Sequence, residues 1–96
     1  METLVSRTID KNDLSKISFI KNDVLLDEND ALIRLQKLNK ALILGNLHKT
    51  SVKIEFMNAE GELLNTVGTV WAVTEKNVLL KKNYHIPIKS IVKVAI

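Results

Sequence analysis

From Ser51 to Ile96 the chain alternates short apolar groups with turn signals so closely that only short strands fit. Val52, Ile54 and Phe56 alternate with Lys53 and Glu55, the two-residue period of a half-buried strand. Asn58-Ala59-Glu60-Gly61 is a turn by composition. Glu62 to Thr74 reads as one long strand with Gly68 in its middle, and a glycine there marks a bulge or a sharp bend. Glu75-Lys76-Asn77 turns the chain, Val78 to Leu80 is a third strand, and Lys82-Asn83 turns it again. Tyr84 to Ile88 and Ile91 to Ile96 complete five. Pro87 lacks a ladder donor and belongs on an edge or at a strand's start. Five short strands, the second bent at a glycine, predict a small closed barrel, because closure removes edges that so small a sheet would otherwise expose.

A helix precedes them. Asp27 is a suitable N-cap, and Glu28 and Asp30 put negative charge in the first turn, where the helix dipole favours it. Ala31, Leu35, Leu38 and Leu42 recur at helical spacing and predict the core face of a helix over residues 28–46, with Arg34, Lys37 and Lys40 off it. Gly45 is the expected left-handed terminator, with Asn46 the alternative. Leu32, Ile33, Ile43 and Leu44 widen the apolar surface and point to a second neighbour: a subunit interface or the N-terminal extension. Within that extension, residues 1–27, Ile17 to Ile20 and Val24 to Leu26 flank Lys21-Asn22-Asp23 and predict a short hairpin. The first dozen residues show no period. The expected architecture is therefore α+β: an N-terminal extension over 1–27, then one domain over 28–96 of helix plus five-stranded barrel.

Composition excludes several classes. The 33 Leu, Ile and Val residues are too many for a disordered chain. No apolar run approaches the roughly 20 residues of a membrane span, and the start lacks a charged region followed by an apolar one. A cytoplasmic protein with no membrane partner is expected. Without cysteine, disulfides and thiolate metal sites are impossible. His48 and His85 stand alone, so no metal site is expected. Asp27, Glu28 and Asp30 are explained by capping. Ser51 and Ser90 have no neighbouring His–Asp pair, and Glu60 and Glu62 fall at an exposed turn. Three scattered glycines make no phosphate loop. Neither an enzyme nor a cofactor is expected.

The stretch Gly68-Thr-Val70-Trp-Ala-Val73-Thr-Glu-Lys-Asn-Val78-Leu-Leu80 resembles the first motif of the Sm-like fold, to which the bacterial RNA chaperone Hfq belongs. Ile88-Lys-Ser-Ile91-Val92 is similar to the closing strands of its second motif, and the helix stands where that fold has one. The resemblance spans roughly residues 30–96, and other SH3-like barrels share the pattern. It departs from the family at Thr74, where an acid is usual, at Asn77, which sits one residue early, and at Tyr84-His85-Ile86, where Hfq carries Lys-His. The resemblance implies a barrel and, for its RNA-binding members, a homo-oligomer. Its register turns Val70 and Val73 inward and leaves Trp71 partly outside.

Charge sharpens the functional reading. Residues 1–48 carry seven basic and seven acidic side chains, but from Lys76 onward there are five lysines and no acid. Clustered positive charge suits an anionic partner such as RNA, and it equally suits a plain solvated surface. On an RNA-binding barrel, Lys81, Lys82, Lys89 and Lys93 would contact phosphates, with Tyr84, His85 and Asn77 near bases. The other reading is a protein-interaction or homo-oligomeric assembly module without nucleic acid, using Trp71, Leu32, Ile33, Ile43 and Leu44.

Overall fold

The computed structural model describes residues 6–96. The fold is α+β, with one long helix and two small sheets. The earliest residues of the extension, 1–5, lie outside the described residues. Strand β1 (Arg7–Thr8) is followed by a 3-10 helix over Lys11–Lys16, and then an irregular segment leads to helix α1 (Glu28–His48). Strands β2 (Val52–Met57), β3 (Leu63–Gly68), β4 (Val70–Val73), β5 (Asn77–Leu80) and β6 (Tyr84–Pro87) follow, with antiparallel pairing of β2 with β3, β4 with β5 and β5 with β6. A 3-10 turn at Ile88–Ser90 leads into β7 (Ile91–Ala95), which returns to pair with β2. One sheet has the order β1-β3-β2-β7 and the other β4-β5-β6.

The five-strand expectation for residues 51–96 is met in its elements, with the long second strand broken in two. Gly68 ends β3, Thr69 alone separates it from β4, and a register shift follows at Trp71. Gly68 is buried here because of its size: a Cβ would press on the Leu80 side chain. The strands are hydrogen-bonded as two sheets and do not close into a barrel, since β6 and β7 are joined by a 3-10 turn and not by a ladder. Pro87 ends β6, an edge strand, as its missing donor requires. Lys82 and Asn83 both take positive φ (69° and 65°) within the three-residue loop that joins the paired Leu80 and Tyr84.

Helix α1 packs on β4 and β7. Asp27 caps it, its carboxylate accepting from the N–H groups of Asn29 and Asp30. The helix ends two residues later than expected. Lys49, not Gly45, takes the left-handed conformation (φ 54°). Gly45 lies inside the helix because the β4 backbone passes over it, and an added Cβ would fall on the Val70 carbonyl oxygen. The buried stripe is also rotated from the expected one: Arg34, Leu38, Ala41 and Gly45 are buried, while Leu35 is exposed. Leu38 and Ala41 join Val52, Ile54, Phe56, Leu64, Val70, Val78, Leu80, Ile86, Ile91 and Val94 in one core.

The predicted hairpin over residues 17–26 does not form. Its apolar groups have separate anchors on the sheets, which outweigh pairing with each other. Phe19 bridges Asn58 and packs its ring on Phe56, with centroids 5.4 Å apart. Val24 donates to the Lys89 carbonyl. The extension is thus a strap. It begins as β1, parallel to β3, continues as the 3-10 helix against β6, and crosses to the N-terminal half of α1. Asp10 caps the 3-10 helix by accepting from the Asn12 N–H, and Leu14 is buried beneath it.

Candidate functional site

The structure separates the lysines that the sequence groups together. Lys81 and Lys82 are exposed in the β5–β6 hairpin, near the exposed His85. Asn77 stands at the other end of β5, opposite Pro87, with its backbone carbonyl accepting from the N–H and hydroxyl of Thr74. Lys89, in the 3-10 turn before β7, borders a recess with Asp23, Arg34, Glu75 and Lys76. Lys93 is exposed on β7, opposite Glu55 of β2. Tyr84 is half-buried and its hydroxyl is bound to the Asn12 side chain, so its ring serves to hold the strap. Only Lys81, Lys82, Tyr84 and His85 share one neighbourhood. Among the described residues no three His, Asp or Glu side chains gather as a metal site would require, and no helix is long and apolar enough to cross a membrane.

Recess chemistry centres on a pair the sequence does not announce. Arg34 is buried, with its Nη1 and Nη2 each 2.9 Å from one oxygen of Asp23. Nη1 also donates to the Ile91 carbonyl at 3.0 Å. This fork joins strap, helix and last strand at one point. The Arg34 guanidinium holds the Asp23 carboxyl below the usual carboxylate range, aided by the Leu25 N–H and opposed by partial burial. Helical spacing offers Arg34 the nearer Asp30, four residues before it, so nothing in the sequence points to Asp23.

A second feature is the outer surface of α1. Apart from Glu28 in the first turn, its exposed charged side chains fall on one flank, where Asp30, Lys37 and Lys40 lie beside β7. The other flank carries Leu32, Leu35, Asn39, Ile43, Asn46 and Leu47, all exposed and none charged. Ile43 is 57% and Leu47 71% exposed, values unusual for aliphatic side chains on a helix that already has a buried stripe. Of the interface residues expected from sequence, Leu32 and Ile43 lie on this flank. Helical spacing puts Ile33 and Leu44 on the charged side, where Ile33 lies near Lys37 and Ile96, and Leu44 is half-buried. Trp71 is 53% exposed at the β4 bulge, next in the chain to the residue that packs on Gly45. Leu35, which helical spacing assigns to the core face, lies on this flank instead, and Asn39 and Leu47 join it because the core face falls one position away from where spacing puts it.

No family model, curated protein or solved structure matches this chain.

Proposed function

We propose that this chain is a non-enzymatic small-barrel module that works by assembling with further copies of itself. The carrying observation is the charge-free, exposed aliphatic flank of α1. Monomers in water seldom leave a contiguous stripe of this kind on a long helix unless something covers it. We read the two sheets as the halves of an Sm/SH3-like small barrel. That reading is supported by the five-strand meander, the single-residue break at Thr69, the 3-10 turn before the last strand, and the return of β7 to β2. Sedimentation equilibrium of the full chain over a wide concentration range tests the assembly reading. A mass that rises above the monomer with concentration supports it, and a monomer throughout overturns it.

A second reading, RNA binding, is favoured by one observation: the β5–β6 hairpin exposes Lys81, Lys82 and His85 in a stretch free of acids. Fluorescence anisotropy with short A-rich and U-rich RNAs, at low and near-physiological salt, tests it. Salt-sensitive binding abolished by Lys82→Glu with Lys89→Glu supports it, and absence of binding at low salt removes it.

A further inference from the structure

Three properties of the α1 flank select one way of covering it. The first is segregation. Between Asn29 and Leu47 this flank offers only aliphatic and amide side chains, whereas Asp30, Lys37 and Lys40 lie on the other side. A partner with a charged surface would leave its charges unpaired here, so a second apolar helix face fits better.

The second is symmetry along the sequence. Asn39 lies at the middle of the stripe. Leu35 precedes it by four residues and Ile43 follows it by four. Leu32 precedes it by seven, and Asn46 follows by seven with Leu47 one residue beyond. A two-fold axis through Asn39 therefore sets each Leu35 against Ile43 of the other copy, and the two Asn39 amides against each other. Each amide has a donor and an acceptor, so the pair satisfies itself. A single central Asn in an apolar helix interface also fixes the register. This is a self-complementary patch of the kind a two-fold dimer requires.

The third is the charge at the helix ends. Asp27 and Glu28 stand at the start of α1, and Lys49 at its end. Antiparallel pairing lays the acidic end of one copy over the basic end of the other and opposes the two helix dipoles. Parallel pairing stacks like ends.

We propose that two copies of this chain pair through the charge-free flank of α1, antiparallel, about a two-fold axis at Asn39. This rests on the assembly reading above and gives it a geometry. The helix is about 31 Å long, and one helix pair of this size falls at the small end of interfaces, below about 1,200 Å² in total, so micromolar dissociation is expected.

The absence of cysteine makes the test direct. Asn39→Cys and, as a control on the strap, Lys21→Cys are oxidised mildly at equal concentration, both sites being exposed in the single chain. Thiols held together in a dimer react at millimolar effective concentration, so Asn39→Cys should link about 100-fold faster than the control at ten-micromolar-scale protein. A mixture of Leu35→Cys and Ile43→Cys should yield the mixed dimer over either self-linked one. Ile43→Glu, checked for folding by circular dichroism, should weaken association at least about 100-fold by burying an unpaired charge. A dimer in sedimentation that links no faster at residue 39 than at 21, or that self-links best at Leu35→Cys, overturns this geometry while leaving self-assembly standing. A monomer at every concentration overturns both.

Discussion

Replacing Asp23 with alanine should destabilise the whole fold far more than a surface ion pair would. The exposed pairs Arg7–Glu62 and Lys16–Asp13 belong to the class worth at most about 1 kcal/mol. Arg34 differs because its side chain is only 6% exposed, and Asp23 supplies both oxygens of a fork with 2.9 Å contacts. Without Asp23, the guanidinium keeps one protein partner, the Ile91 carbonyl, and meets water only through the recess beside it. Stranding a buried charge costs about 3–5 kcal/mol. The Asp23 side chain is itself 33% exposed, so part of the attraction is screened and the cost is discounted to about 2–3 kcal/mol. For a domain of this size each kcal/mol moves Tm by roughly 4–8 °C, so a drop of about 10–20 °C is expected at neutral pH. Its pH dependence identifies the cause. The folded-state pKa of Asp23 is depressed, so the unfolded chain takes up the proton first. The stabilisation is complete above the ordinary carboxylate range, about 3.9, and is lost as pH falls through the lower folded value. The gap between the wild-type and Asp23→Ala melting curves, followed by circular dichroism, should therefore narrow below about pH 4. A variant within 2 °C or so of wild type at neutral pH, or a gap unchanged in acid, would refute the reasoning.

Two further substitutions probe the core and the helix crossing. The Thr66 hydroxyl is buried in β3 without a hydrogen-bond partner among the described residues. Thr66→Val keeps the shape and removes the unmet polar group, so denaturant unfolding should show a gain of about 1 kcal/mol, and any loss would mean that the hydroxyl has a partner. Gly45→Ala should be destabilising by about 1–3 kcal/mol despite alanine's better helix propensity, because its Cβ meets the Val70 carbonyl oxygen. Unchanged stability in the same assay would show that β4 can move away.

What the sequence discloses follows from how local each cause is. Val52, Ile54 and Phe56 are buried and Lys53 exposed, as their alternation requires, because strand period and burial act within a few residues. The Asn58–Gly61 and Lys82-Asn83 turns follow from the same locality. Gly45 misleads because a glycine that ends a helix and one that admits a passing strand look alike until the strand is in place. Arg34 misleads for a related reason. Its partners, Asp23 and Ile91, lie 11 and 57 residues away, so the helix turns a charged residue inward where periodicity turns Leu35 inward. That rotation carries Leu35 out to solvent and creates the charge-free flank. Two residues of the candidate interface, Leu32 and Ile43, are legible from apolar excess. Asn39, Leu35 and Leu47 are not, because they depend on which side of the helix the core takes. Phe19 and Val24 lose the expected hairpin to distant anchors at Asn58, Phe56 and Lys89.

The strap sets an order of events during synthesis. Arg7 pairs with Leu64, and Asn12 meets Tyr84, 72 residues further along. The strap is therefore made well before it can find its place, since its docking surface does not exist until the β5–β6 hairpin has been made. Leu14, Ile17 and Phe19, which end against the core, must wait in water until the later strands are made. Contacts that span so much of the chain form slowly, and apolar groups left waiting are open to wrong partners. A nascent chain of this protein should accordingly be most vulnerable to aggregation and proteolysis before β5, β6 and β7 emerge, and protected once Tyr84 and Ile91 are there to receive Asn12 and Arg34.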